Sequence, residues 1–450
     1  MAKQFLLSVP TSFGVESVAA NEIRRLGYET ERVEDGRISF WGGIDAICRC
    51  NLWLRVAERV QIKIGEFNAV TFDELYEGTR ALPWSAVLPR EAAFPVGGHS
   101  LKSKLFSVPD CQAIIKKAIV DNLSQKYKIN RMPESGSLYK VQFIILRDRV
   151  SVYIDTSGEG LYKRGYRQAS NIAPLRETLA AAIVYLSRWK PGMAFWDPFC
   201  GSGAIVIEAA MIGMNIAPGL QRNFTAETWG LIDHKNWKMA REEARALAGR
   251  HDRSPAPATE SGNNTVGSGN SGRASAGSPT PAMGSGNNTV GSGNSGRASA
   301  GSPTPATESG NNTVGSGNIE IVGSDIEKLS VETSRRNAKK AGVSDKVKFF
   351  QLDVAKMKPY GVERLNEMGI VLPDRGCIVG NPPYGERMAD LEAAEALYGK
   401  LGEQYKEFSN WRLYMISSND DFEKMLRKKA DKKRKLYNGM IKCNLYQYFG

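Results

Sequence analysis

The chain has 450 residues, 42% apolar, 9% aromatic and 24% charged, enough to bury a sizeable core and too many for one ordinary domain, so two or three domains are expected. Apolar runs such as residues 179–186 fall short of the ~18 residues a membrane helix needs, and the apolar start closes at Val9-Pro10, too short for a secretory signal core. A soluble cytoplasmic protein with no membrane partner is therefore expected. The formal charge of +12 favours a polyanionic partner, nucleic acid first, bound through its phosphates.

Six cysteines (Cys48, Cys50, Cys111, Cys200, Cys377, Cys443) are scattered, with no C-x2-C pair, so neither a disulfide scaffold nor a bound metal is expected. With only His99, His234 and His251 present, imidazole chemistry has few candidates.

In chain order, residues 4–9 read as a strand, 15–26 as an amphipathic helix and 31–40 as a strand pair, a first α+β unit over 1–65. A second α+β unit, 66–165, contains the helical spacing of 111–122 and strands at 141–146 and 150–154 joined by the turn Arg147-Asp148-Arg149. From 166 to 450 helix and strand alternate. Helices are predicted at 174–189, 203–214 and 326–341, and strands at 193–199, 319–324, 346–354, 377–380 and 412–417. That alternation predicts a doubly wound α/β sheet with ligands at the carboxyl ends of its strands. Within it, residues 261–282 recur at 285–306 and begin again at 309, a period of 24. Each copy has one Val and no aromatic, so stacked copies would share no apolar face. Residues 253–318 are predicted to be a disordered insertion in one connection of the sheet.

Four segments carry chemistry. The strand ending at Asp197-Pro-Phe199 breaks into Cys200-Gly201-Ser202-Gly203 and a helix; Gly201 and Gly203 let a ligand approach a helix N-terminus, and Asp197 can accept from an ammonium or hydroxyl. A tight strand-to-helix turn is the bland alternative, and the missing third glycine weighs against a dinucleotide fingerprint. Cys200 reads as a small packed residue. Asp325 ends the next strand, where it could take both hydroxyls of a ribose or cap the following helix. Asp353 ends the strand after that, where it could accept an adenine amino group or be a solvated strand end. Three acids at three successive strand ends are less easily accidental than one. The fourth and most specific segment is Gly380-Asn381-Pro382-Pro383-Tyr384-Gly385, after an apolar strand. Its prolines fix φ and leave the Asn381 amide oxygen and the Pro382 carbonyl as acceptors, while Tyr384 offers a flat face. Two acceptors and a stacking ring suit an exocyclic amino group on a flat base. Accepting from both N–H groups draws the nitrogen lone pair out of the ring and makes the amine a nucleophile.

Asp197-Pro-Phe-Cys-Gly-Ser-Gly203 and Asn381-Pro-Pro-Tyr384 resemble motifs I and IV of class I S-adenosylmethionine-dependent amino-methyltransferases, and Pro174-Leu-Arg-Glu-Thr-Leu-Ala180 resembles motif X. The resemblance implies a Rossmann-like methyltransferase domain with S-adenosylmethionine on Asp197, Phe199, Gly201, Gly203, Asp325 and Asp353, and catalysis at Asn381, Pro382, Pro383 and Tyr384. Phe94-Pro-Val-Gly-Gly98, Ser107-Val-Pro-Asp-Cys-Gln-Ala-Ile114 and Gly160-Leu-Tyr-Lys-Arg-Gly-Tyr-Arg167 resemble the THUMP RNA-binding module, preceded by a ferredoxin-like domain, of bacterial guanine-N2 RNA methyltransferases of the 23S rRNA type. The implied partner is RNA, foremost 23S rRNA, contacted through Lys102, Lys104, Lys116, Lys117, Lys163, Arg164 and Arg167. The cationic run 427–435 reads either as a phosphate contact or as a solvated face. A tRNA guanine-N2 enzyme shares the same parts. A DNA amino-methyltransferase or a non-catalytic RNA-binding assembly factor is the more distant reading.

Overall fold

The computed structural model describes residues 3–167, 175–249, 321–359, 363–385 and 388–449. The repeat insertion and Pro174 lie outside them.

The first half runs β1 (Phe5–Pro10), α1 (Glu16–Arg25), β2 (Thr30–Glu34), β3 (Arg37–Gly42), α2 (Ile44–Trp53), β4 (Gln61–Asn68), α3 (Phe72–Arg80), β5 (Val96–Leu101), α4 (Val108–Tyr127), β6 (Val141–Leu146) and β7 (Arg149–Asp155). Helix α1 forms as its spacing predicts, burying Ala19, Ala20 and Ile23 on one face. Helix α3 starts at a capping box in which Thr71 and Glu74 satisfy each other's backbone N–H groups. Helix α4 exceeds the predicted 111–122 at both ends, beginning with a proline in its first turn, where no N–H is missed. The β6–β7 turn places Arg147 and Asp148 at φ 51° and 65°, the left-handed pair that suits a tight hairpin.

All seven strands form one sheet ordered β2-β3-β1-β4-β7-β6-β5. The sequence predicts two separate units divided after residue 65, and that division falls inside β4. Gln61 and Ile62 pair with β1 on one edge, while the strand pairs along its length with β7 on the other. A strand has two hydrogen-bonding edges, so one strand serves both units.

The second half runs α5 (Glu177–Leu186), β8 (Ala194–Asp197), α6 (Ala204–Gly213), α7 (His234–Leu247), β9 (Ile321–Asp325), α8 (Lys328–Ala341), β10 (Val347–Gln351), α9 (Glu363–Glu367), β11 (Gly376–Gly380), α10 (Met388–Tyr405), β12 (Trp411–Ser417), α11 (Phe422–Leu426), β13 (Lys432–Asn438) and β14 (Ile441–Tyr448). Their sheet is ordered β10-β9-β8-β11-β12-β14-β13, parallel through β12 with β14 antiparallel to both neighbours. The chain leaves β8 outward to β9 and β10, then returns to the other side of β8 for β11 and β12. The order therefore reverses between β8 and β11, where a crevice opens outside the carboxyl ends of the strands. Along β11, Cys377 and Val379 face one apolar cluster and Ile378 the other, so the strand is buried on both faces and reads as a continuous apolar run.

Strand β10 is shorter than predicted. It ends at Gln351, and Asp353 instead caps the short 3-10 turn Val354–Lys356, accepting from Ala355 N at 2.9 Å. The cationic run 427–435 leads from the end of α11 into the edge strand β13. Lysines on a sheet edge discourage pairing with another chain. Among the described residues, no helix is long and apolar enough to cross a membrane.

Candidate active site

Asp197 is the last residue of β8 and only 1% exposed. Its Oδ1 accepts from Phe199 N at 3.0 Å. Burial, opposed by that bond and aided by Asp325, pushes its carboxyl well above the usual range. The loop that follows is held from three sides. Cys200 N donates to Ser324 O at 3.0 Å, Ser334 Oγ donates to Gly201 O at 2.8 Å and Asn337 Nδ2 to Ser202 O at 2.9 Å. Helix α8 thus fixes a loop whose sequence shows no reason for rigidity. Gly203, at φ +83°, is the N-cap of α6; a Cβ there would sit 3.0 Å from that of Ser334 and 3.1 Å from the Phe349 ring, so any side chain would be both strained and crowded. Burial keeps the Cys200 thiol protonated, with Ser334 Oγ 3.7 Å away, as expected of a packed residue.

Asp325, ending β9, faces the same loop. Its Oδ2 accepts from Gly201 N at 2.9 Å and its Oδ1 from Glu327 N at 2.9 Å, while the N-cap of α8 is Glu327. The cap alternative is therefore replaced by a tie between the strand end and the glycine loop. Asp353 is set one strand further out and linked to this corner through Leu352 N, which donates to Asp325 O at 3.0 Å.

On the other side of the crevice, Gly380 ends β11. A Cβ there would lie 3.2 Å from both Asp197 Oδ1 and the Phe199 ring, so the Asn381-Pro-Pro-Tyr loop leaves the sheet directly beside the first motif. Tyr398 on α10 donates its hydroxyl to Pro383 O. The Asn381 oxygen, expected to point outward, instead accepts the Tyr384 hydroxyl at 2.6 Å. The physical reason is local: two prolines fold the loop so that residue 384 comes back over 381, and the hairpin of β13 and β14 supports the ring, with Cys443 Sγ 3.7 Å from the hydroxyl. Burial raises the Tyr384 phenol, so it stays a donor.

The cationic residues divide. Lys102, Lys104 and Lys117 are exposed. Lys163 is exposed but paired with Glu159 at 2.7 Å, and Lys116 donates to Phe94 O and Glu134. Arg164 corrects the expectation of an RNA contact. It is 3% exposed, paired with the fully buried Glu208 of α6 at 3.3 Å, and donates to Leu161 O and Arg55 O. A guanidinium so enclosed cannot reach a phosphate; it ties α6 to the first half of the chain. Arg167 is likewise held by Glu177 and Leu175 O. Sequence reasoning missed Ser334, Asn337 and the pairing of β13 with β14 beside Tyr384. Nothing near Ser334 or Asn337 in sequence marks them; they are placed by α8 crossing the loop.

The glycine loop, the helix N-terminus and the buried carboxylate fit S-adenosylmethionine: a Cβ at Gly201 would have nothing nearer than 4.0 Å, leaving room at the helix start. The fold and this site define a class I S-adenosylmethionine-dependent methyltransferase. The chain belongs to the RMKL-like methyltransferase family, whose domain matches residues 164–447. The RlmL ferredoxin-like domain matches residues 7–61 and the THUMP domain residues 69–155. The chain is similar to "Putative RNA methyltransferase YpsC" of Bacillus subtilis, 38% identical over 99% of this chain and 96% of the relative. It is 28% identical to "Ribosomal RNA large subunit methyltransferase K/L" of Psychromonas ingrahamii, over 98% of this chain but 49% of that protein. Among solved structures, a "predicted N6-adenine-specific DNA methylase" from Listeria monocytogenes superposes with TM-score 0.78 at 41% identity over 100% of this chain and 97% of that one. SMU.472, described as "a putative methyltransferase complexed with SAH", gives TM-score 0.78 at 36% identity over 100% and 99%.

Proposed function

We propose that this methyltransferase transfers the methyl group of S-adenosylmethionine to the exocyclic N2 amine of a guanine in 23S rRNA. The observation that carries the reading is the Asn381-Pro-Pro-Tyr384 loop set against Asp197 and Phe199 across Gly380, in a chain that also holds a THUMP domain. The similarity to a ribosomal RNA large subunit methyltransferase supports the substrate.

The bound cofactor supplies a methyl group on a sulfonium, an electrophile that an unpaired amine attacks directly. In this reading Asp197 holds the cofactor ammonium, Phe199, Gly201 and Gly203 shape its seat, Asp325 takes the ribose hydroxyls and Asp353 the adenine amine. Asn381 Oδ1 and the Pro382 carbonyl accept the two N–H groups of the target amine, turning its lone pair toward the methyl; the nitrogen gains the methyl carbon as the sulfur departs with the bonding pair as a neutral thioether, and one N–H proton passes to solvent. For this, the Tyr384 hydroxyl leaves Asn381, and the Tyr384 ring is then free to stack on the base. Pro383, held by Tyr398, keeps the loop in register. Exposed Lys102, Lys104 and Lys117 meet phosphates, and the reaction is placed in the cytoplasm. The chemistry draws on no metal.

The test is incubation with tritiated S-adenosylmethionine and, separately, unmodified 23S rRNA, tRNA and genomic DNA, followed by chromatography of the labelled nucleoside. N2-methylguanosine in 23S rRNA is the expected product. Label confined to tRNA moves the substrate and keeps the chemistry; N6-methyladenosine in DNA overturns both base and polymer.

A further inference from the structure

The β13–β14 hairpin is longer than the sheet it belongs to. Ser417, the last residue of β12, pairs with Asn444, and Asn444 in turn with Lys435. Residues 441–443 thus stand past the end of β12 by about 10 Å at ~3.3 Å per residue. The overhang lies on the carboxyl side, where the Asn381 loop emerges, and touches it: Cys443 Sγ is 3.7 Å from the Tyr384 hydroxyl. At its turn, Gly439 at φ +64° hands over to Met440, which is 97% exposed. Beside the hairpin, Phe13 of the ferredoxin-like domain is 54% exposed and meets the Tyr437 ring edge-on at 6.0 Å. The two elements are joined by Arg434, whose Nε donates to Gly14 O at 2.7 Å and Nη2 to Ser17 Oγ at 3.1 Å. Exposed Lys435 and Lys442, the latter paired with Tyr437, lie on the hairpin beside these groups.

A fully exposed methionine on a tight turn contributes nothing to a core, and an apolar tip ringed by lysines suits a polyanion with flat faces. Apolar side chains on such tips act as wedges that fill the gap when a base leaves the stack, and exposed rings serve as stacking platforms for unpaired strands. We propose that the β13–β14 hairpin tip and Phe13 together seat the unpaired RNA strand flanking the target base, with Met440 occupying the space the extruded base vacates. The strand's phosphates run along Lys435 and Lys442, and its next base stacks on Phe13. This rests on the reading above for the identity of the extruded base.

Two measurements separate the two proposals. Fluorescence anisotropy of a labelled uridine RNA of about 12 nucleotides, against an RNA duplex of about that length, reads the surface without chemistry. Met440→Ser and Phe13→Ala are expected to weaken single-strand binding about five-fold or more, whereas Met239→Ser, an equally apolar change at a 67% exposed site on α7, leaves it within about two-fold. In methyl transfer to 23S rRNA, Met440→Ser is expected to lower kcat about ten-fold with cofactor affinity by calorimetry unchanged, and Met440→Leu to restore it. Single-strand binding by Met440→Ser and Phe13→Ala equal to that of Met239→Ser overturns the proposal. So does dissociation of a wild-type dimer by Met440→Ser in sedimentation, which would make the tip a self-association surface. If the wild type methylates no RNA yet binds the oligonucleotide with the Met440→Ser deficit, the guanine reading falls and the hairpin stands; the converse pattern sinks the hairpin alone.

Discussion

At the scale of single residues, the site is built from groups whose ordinary behaviour has been altered by neighbours. Asp197 is the sharpest case: burial raises its carboxyl, with Asp325 adding to the shift and the Phe199 N–H opposing it. A folded-state value above the unfolded one means that the native state binds more protons, so stability falls as pH rises above the unfolded carboxylate range. Asp197→Asn is therefore expected to melt with the wild type at pH near the unfolded value and about 2 °C or more above it at neutral pH, in thermal scans without cofactor. Its affinity for S-adenosylmethionine should drop, because the charge that meets the ammonium is gone. A lower neutral-pH melting temperature for the variant would contradict this. Asn381 behaves differently, since its oxygen already accepts the Tyr384 hydroxyl. Asn381→Ala is expected to lose about 10²-fold or more in turnover while binding cofactor within about two-fold; wild-type turnover would remove Asn381 from the reaction.

Elements show where local reading succeeds. Strands β8, β11 and β12 are short apolar runs, the first two leading into site residues, and their existence follows from sequence because both faces are buried. Strand β13 is legible only as a charge run, since edge exposure lets lysines replace the apolar alternation that marks a strand. Strand β4 is missed for another reason: its bulge between Lys63 and Gly65 shifts the register and breaks the period of two. Yet β4 joins the first two domains into one sheet. Ile62→Asp, which places a charge where a side chain 2% exposed now packs, should loosen both at once. Hydrogen exchange is expected to rise in β3 and β6 together; an increase confined to β1 and β3 would mean that the two domains open separately.

For the whole molecule, the relation between the front half and the methyltransferase domain is set by buried polar groups. Arg164 joins Glu208 of α6 to the Arg55 carbonyl, and Arg55 donates to Ile216 O at 2.7 Å on the methyltransferase side. Glu22 of α1 accepts from the backbone of Arg55 and Val56, completing the link. Removing one partner of a buried pair costs about 3–5 kcal/mol, whereas removing both charges together costs far less. Arg164→Met is expected to lower stability by about that amount in urea titration. Arg164→Met with Glu208→Gln, which leaves an acceptor for the Tyr166 hydroxyl, should recover most of it. The salt dependence of RNA binding should not change in either, and a slope reduced by about one would return Arg164 to the RNA face.

The sequence by itself determined the class of the protein: the alternating α/β pattern, the acids at strand ends and the two motifs are short-range signals, each contained within a strand and the turn after it. It also marked Cys200 as a packing group, because no cation stands beside it in sequence. Only the tertiary structure decided which cations are free, since Arg164 and Lys102 look alike in sequence and differ in what folds over them. It decided too that β4 belongs to two domains, that Ser334 and Asn337 pin the glycine loop, and that a hairpin near the end of the chain stands beside Tyr384. These are contacts between residues up to hundreds of positions apart, and such pairings leave no periodicity or spacing for local reading to find.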